Sequence, residues 1–445
     1  MVPQRRRKPQ ESLRTTIQYS CALLLTGCAS SIDATKDIQS AHTLANEHLP
    51  VVVDTTLSWS AGEPLSIDTA IAYTVSHDAL LQRDLAIIVQ RRAEIAQAEL
   101  PANPTFSGAF GIAVDGLAGA PLILQGMQNL SWLWTRPDKI ASAEQTLQQA
   151  ILTSANRTVE VVANVRIVYH EVSTQLELAR LAKEDVELAN KIYAITQELA
   201  SVGEASEIDV DTANIAYLQA QHILLEAQEQ FDHSMLNLLH PMGCPETKSV
   251  FITVPPQTPN RIDHDEEDLF FYAVENRLDL ATGRAIIKQR SAELGLANPP
   301  IVTGSIMFNE NFGDRQAILP GGGITIALDG DAKEAVADSK LKQAELQYVD
   351  AMRTVIKDVR TVFDSYTTSI EILAIEEIVF QTAKTLLTRA KEANKQGELH
   401  PLSLLPIQRS LIQAKQKLLQ DALQVSTNTI KLEKVIGGSF KGMNK

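Results

Sequence analysis

Three side chains with metal-binding chemistry lie near one another, His233, His240 and Cys244, but they are spaced seven and four residues apart around Pro241. A zinc site takes its ligands in tight pairs that a single turn presents to one ion, so this grouping reads as a helix end. His264 stands in the acidic stretch from Asp263 to Asp268 and reads as a solvated residue. The sequence holds no HExxH, phosphate-binding loop, nucleophile elbow or paired-cysteine spacing. No catalytic residue, metal or cofactor is therefore expected. Glu207, Asp209 and Asp211 offer a different chemistry. On their own they suit the first turn of a helix, where unpaired N–H groups favour negative charge.

Long helices must carry these residues. Ala, Leu, Gln, Glu and Lys dominate uninterrupted stretches, and aromatics make up only 5% of the 445 residues, a composition typical of packed helices. The formal charge of −14 argues against nucleic acid as a partner, because phosphate contacts need clustered Lys and Arg. No run of eighteen apolar residues occurs, so any membrane crossing must be made of strands.

The first residues read as a targeting segment, residues 1–27, with Arg5, Arg6, Arg7, Lys8 and Arg14 ahead of a short apolar stretch. It ends in Leu25-Thr26-Gly27-Cys28, which resembles a bacterial lipobox. The expectation is cleavage before Cys28 and acylation of its thiol, with Ser30 as an outer-membrane sorting cue. Cleavage removes five basic groups and one acid, moving the charge from −14 to −18. Only Cys28 and Cys244 would remain, so no disulfide framework is expected. Residues 28–63 read as a lipidated, extended segment.

The chain is also a duplication. Ile87-Ile88-Val89-Gln90-Arg91-Arg92-Ala93-Glu94 recurs as Ile286-Ile287-Lys288-Gln289-Arg290-Ser291-Ala292-Glu293, a shift of 199. A second, ungapped match runs from Lys139–Gly243 to Lys333–Gly437 at a shift of 194. The repeats span 64–253 and 268–438, joined by a linker at 254–267 and followed by a tail at 439–445. Each predicts a helix, a β-hairpin (104–135 or 300–329), a very long helix, a glycine break and a shorter helix. The long helices, Pro137 to Ser201 and Asp331 to Gln396, show a coiled-coil spacing of apolar residues and reach about 100 Å each. The shorter helices are 65–100 and 204–240 in the first repeat, and 268–298 and 402–436 in the second. Stacked end to end, they would form a second column.

Between the helices, Phe106, Phe110, Ile112 and Val114 alternate with small residues, as do Leu122, Leu124, Leu130, Trp132 and Trp134. Val302, Ile306 and Phe308, then Ile324, Ile326 and Leu328, repeat the pattern. This is the period of membrane-barrel strands, with Trp132 and Trp134 expected at a bilayer interface. Four strands cannot close a barrel alone, so several copies would have to share one.

From Pro64 to Gly438 the chain resembles the TolC-like outer-membrane efflux proteins. The duplicated layout carries the resemblance, with the Val202-Gly203 turn leading to Asp209-Val210, and the patches Val165 to Tyr169 and Val359 to Phe363. The resemblance implies a mainly α protein with a small β part: duplicated antiparallel coiled-coil helices plus four transmembrane strands. It further implies a homotrimer with an α-helical tunnel and a shared 12-stranded β-barrel, lipid-anchored in the outer membrane and reaching into the periplasm. Implied partners are an inner-membrane efflux pump and a periplasmic adaptor. The adaptor would dock at the tips Val202, Gly203, Glu204, Gly397 and Glu398, and a gate would involve Glu207, Asp209 and Asp211, whose carboxylates, gathered into a ring by three copies, would attract cations and hinder anions. The second repeat departs from an acidic tip, with Ser403 and Pro406 at the corresponding place.

Overall fold

The computed structural model describes residues 32–53, 59–60, 62–111, 122–244, 246, 251–252, 262, 264–311, 315–325, 329–399 and 401–440. Cys28, Ile112, Val114, Ile326, Leu328 and most of the 254–267 linker lie outside the described residues.

The first element is a helix, α1 (Thr35–His48), where an extended segment was expected. Its i, i+4 series of Asp37, Ala41 and Ala45 is buried. Small side chains let it lie close on the bundle, and Asp37 is paired with Arg92. Strand β1 (Pro64–Leu65) then leads to α2 (Ile67–His77) and α3 (Ala79–Glu99). A single helix was predicted over 65–100. It breaks because Asp78 is extended, with φ −62° and ψ 117°, and its side chain caps α3 by accepting from the Leu81 N–H at 2.7 Å. The second repeat breaks 199 residues later, at Arg277, between α6 (Glu266–Asn276) and α7 (Leu278–Gly295). Helix α6 begins inside the predicted linker because Asp265 caps it, accepting from the Asp268 N–H at 2.9 Å.

Four strands form one antiparallel sheet in the order β2 (Thr105–Phe110), β3 (Leu122–Asn129), β5 (Ile301–Asn311) and β6 (Arg315–Thr325). A separate parallel pair joins β1 to β4 (Phe251–Ile252). The sheet leads into α4 (Trp132–Ser201) and α8 (Gly330–Lys395). At 70 and 66 residues, these helices span about 100 Å each at 1.5 Å per residue. Trp132 and Trp134 therefore lie in the first turn of α4, not on a strand. The ladder stops at Ser131, whose Oγ accepts from the Val302 N–H at 2.8 Å, and the Thr135 hydroxyl then closes the turn onto the Ser131 carbonyl.

Beyond the long helices come α5 (Glu207–Leu239) and α9 (Pro401–Val435). α4 packs against α3 and α5 on one flank and against α7 and α9 on the other, while α8 packs against α7 and α9. The short helices thus stack into columns beside the long ones. The repeats meet along the seam between α4 and the α7/α9 column and, in the sheet, through the pairing of β3 with β5.

Each repeat has a core halfway along its long helix. In the first, Leu65, Leu81, Val162, Tyr169 and Leu238 are buried together, and the Tyr169 hydroxyl donates to the Leu65 carbonyl at 2.9 Å. In the second, Leu269, Val359, Tyr366 and Leu432 do the same, with the Ile262 N–H donating to the Tyr366 hydroxyl at 2.8 Å. Phe440 packs on this second core, so the predicted tail begins inside the fold.

Candidate functional site

Both long helices end on a glycine with a left-handed backbone. Gly203 has φ +81° and Gly397, 194 residues on, has φ +80°, a conformation that costs other L-residues roughly 1–2 kcal/mol. The Glu204 N–H reaches back to the Leu199 carbonyl at 2.9 Å and the Glu398 N–H to Ala393 at 2.9 Å, so each turn satisfies the last free carbonyls of its helix. Val202, Gly203, Glu204 and Glu398 are exposed at one end of the molecule, opposite the sheet.

The three acids that follow are not equivalent. Asp209 belongs to a capping box: its carboxylate accepts from the Ser206 N–H at 2.9 Å and hydroxyl at 2.7 Å, while its own N–H donates to Ser206 Oγ. The Ser206 hydroxyl and N–H hold the Asp209 carboxyl below its ordinary range. Glu207 and Asp211 are exposed carboxylates beside it. Ile208, between them, is exposed too. An S-x-x-D capping signal is legible in the sequence and separates Asp209 from its neighbours.

At the other end, pairing register sorts the sheet into two faces. Phe106, Phe110, Leu124, Ile306, Phe308, Ile318 and Ile324 share one. Phe106 lies over Gly126, where an added Cβ would sit 3.3 Å from its ring. The opposite face carries Ser107, Gln125, Asn129, Thr303, Ser305 and Asn309 among Ile123, Met127, Met307 and Leu319. Most of the apolar face is exposed in the single chain, including Phe106, Phe110, Ile306, Ile318 and Ile324. The outer edges of β2 and β6 have no partner strand among the described residues. No described helix is long and apolar enough to cross a membrane.

Between sheet and tip, three ion pairs cross the seam from α4 to α9. Arg166 donates to Glu433 at 2.6 Å, Lys415 to Glu177 at 2.9 Å, and Arg409 holds both oxygens of Asp185 at 2.7 and 2.8 Å. The bond to Asp185 pushes the Arg409 pKa up. Glu177 is held down to about 2, chiefly by its bonds from Arg180 and secondarily by Lys415, against the opposing cost of burial. A depressed carboxylate stabilises the fold fully above its unfolded value and less as pH falls through its folded value. The contribution of Glu177, chiefly through Arg180 on its own helix, should therefore fade between pH 4.5 and about 2. Thermal unfolding followed across that window should show a falling midpoint, with a shallower slope in Glu177→Gln.

Among the described residues, no group of three or more His, Cys, Asp or Glu side chains is placed to hold a metal ion. His233 lies on α5 one turn from Glu229, on the same face, whereas His240 and Cys244 close the turn after it. His264 stacks on Phe440. The sequence reading missed α1 and the ion-pair seam. The buried i, i+4 series announces the helix, while the pairs join residues more than 200 positions apart and leave no local pattern.

Comparison with known proteins agrees with this arrangement. Residues 134–243 match the family model described as outer membrane efflux protein. The toluene efflux pump outer membrane protein TtgC of Pseudomonas putida is 23% identical over 394 residues, covering 80% of this chain and 76% of that protein. The outer membrane protein VceC of Vibrio cholerae superposes with a TM-score of 0.67 at 16% identity, over 84% of this chain and 96% of its own. The open-state MtrE channel of Neisseria gonorrhoeae gives 0.67 at 14% identity, over 86% and 96%. The efflux-protein match inside the first repeat, relatives aligned along most of the chain and a shared fold make the chain similar to the outer membrane efflux proteins.

Proposed function

We propose that three copies of this chain form the exit duct of a tripartite efflux system, passively conducting what an inner-membrane pump and a periplasmic adaptor deliver. The observation that carries the reading is the four-stranded sheet: among the described residues it is open at both edges, it is apolar on one face, and it stands on helices of about 100 Å. A sheet of four strands cannot enclose a pore, whereas three such sheets joined edge to edge give the strand number of a barrel with an open lumen. The apolar face then meets lipid and the mixed face lines the pore. Trp132 and Trp134, at the foot of the barrel, sit at the membrane interface. Acylation of Cys28 anchors the N-terminus in the same membrane.

The helices form the periplasmic tunnel, and the glycine turns at Gly203 and Gly397 are the docking tips for the adaptor. Glu207 and Asp211 supply the charge of the mouth, while Asp209 mainly holds the turn. Contact with adaptor or pump shifts the tip from closed to open. Isolated trimers in a planar bilayer should accordingly conduct poorly. Asp209→Ala, which removes the reciprocal half of the capping box whose N-cap is Ser206, should raise the opening frequency. Glu207→Gln with Asp211→Asn should lower cation preference without changing thermal stability. A large, steady conductance that ignores all three substitutions would refute a gate at the tip.

A further inference from the structure

On the apolar face of the sheet, side chains are missing along a diagonal. Gly108 stands opposite Leu124, Gly126 opposite Phe106 and Ile306, and Gly304 opposite Gln128. Each glycine lies one strand across from the last and two residues nearer the helices. With strands about 4.8 Å apart and about 3.4 Å per residue along them, the line is roughly 17 Å long. It floors a groove of about 830 Å³ whose walls are Phe106, Leu124, Ile306 and Phe308, and which ends at Pro104 and Gln128 on the side of the helices. The rim keeps the floor at backbone level: a Cβ at Gly108 would sit 3.2 Å from Leu124 Cδ2, and one at Gly304 3.3 Å from Leu130 Cδ1. The groove runs over the face of the sheet, so strands added at the edges would leave it open. Its shape suits one unbranched hydrocarbon chain.

We infer that the groove holds an acyl chain carried by Cys28 of the same polypeptide. The reach of the N-terminus names the occupant. Asp37, in the first turn of α1, pairs with Arg92, Ala41 packs among Ile88, Ile95 and Leu147, and Ala45 enters the first core beside Leu65 and Leu152. α3 runs the opposite way, from Leu81 in that core to Glu99 just ahead of β2. The N-terminus of α1 therefore points at the foot of the sheet. From Arg92 that foot lies about 10 Å along α3 and then the short stretch from Glu99 to Thr105. The seven residues from Cys28 to Thr35 reach up to about 24 Å, and the acyl chain extends from there. The leaflet agrees as well. The groove occupies the helix side of the strands, which on the channel reading is the leaflet facing the periplasm, and an N-terminus tethered among the helices can insert its lipid only there.

The inference rests on the proposed membrane sheet and on acylation of Cys28, and the test tells the three apart. The full chain is expressed in a bacterial outer membrane with a diazirine-bearing fatty acid, irradiated in the isolated membrane and digested. The acylated N-terminal peptide should be cross-linked at Phe106, Leu124 or Ile306, and not at Ile318 or Ile324, which share the apolar face outside the groove. In trimers mixed from isotopically light and heavy chains, each cross-link should join peptides of one label. Gly108→Leu, which lays a side chain along the floor, should cut the yield about tenfold, the effect of losing roughly two buried methylenes, while light scattering still reports a trimer. Cross-links spread over the whole apolar face and indifferent to Gly108→Leu would overturn the docking and leave the channel reading intact. A mature protein whose mass shows no lipid would overturn the inference at its base, again without touching the channel. A lipidated chain that is monomeric by light scattering would overturn the membrane sheet and the inference with it.

Discussion

Ile306→Arg is expected to abolish assembly of the proposed membrane-embedded trimer, whereas Ser305→Arg, one residue away, should leave assembly intact. The two side chains point to opposite faces of β5. Ile306 shares the apolar face with Phe106, Leu124 and Phe308, while Ser305 shares the mixed face with Thr105 and Met127. An arginine on the lipid side of a barrel strand costs about 2–4 kcal/mol near the bilayer centre, and three copies would each introduce one into the same barrel. On the lumen side the guanidinium stays in water, so its effect should be a shift toward anion preference. Migration of unheated samples on a semi-native gel reads assembly, and reversal potential in a salt gradient reads selectivity. Equal tolerance of both substitutions would mean that the sheet does not lie in a bilayer.

The second large effect lies in the seam between repeats. Asp185→Val should destabilise the folded chain by about 3–5 kcal/mol, the cost of leaving a buried partner charge unpaired. The pair is well sheltered, with side-chain exposures of 19% for Arg409 and 8% for Asp185. Arg409→Ile should cost a comparable amount. Their combination should recover most of the loss, because a buried ion pair replaced by well-packed apolar groups is often neutral or better. Val and Ile are the residues that the duplication places at the equivalent positions, Val379 and Ile215. Denaturant unfolding of the three variants closes the cycle; a double variant no better than the worse single would show that the pair does more than satisfy its own charges.

Much of this architecture was readable because long coiled coils are specified by periodicity. The apolar spacing of α8 and the 194-residue shift gave the long helices, the glycine turns and the stacking of short helices. Gly243 and Gly437 extend the same correspondence, with φ of +73° and +80°. Helix starts were less legible. Leu130, Trp132 and Trp134 alternate like a strand, yet Ser131 ends the ladder and opens α4. Likewise the breaks at Asp78 and Arg277 turn on the extended backbone of one residue each. At the tip, proximity in sequence suggested one acidic group, whereas hydrogen bonding divides it between a cap at Asp209 and free carboxylates at Glu207 and Asp211.

The seam ion pairs are long-range facts. They follow from which helices become neighbours, which no window of sequence contains.

The most direct test of the channel account is the oligomeric state and detergent requirement of the Cys28→Ala protein, which removes the expected lipid anchor and leaves the sheet. A trimer by light scattering that aggregates when detergent is withdrawn is the predicted result. A monomer that stays in solution without detergent would contradict it, because the apolar face of the sheet would then need no bilayer and the open strand edges no second copy.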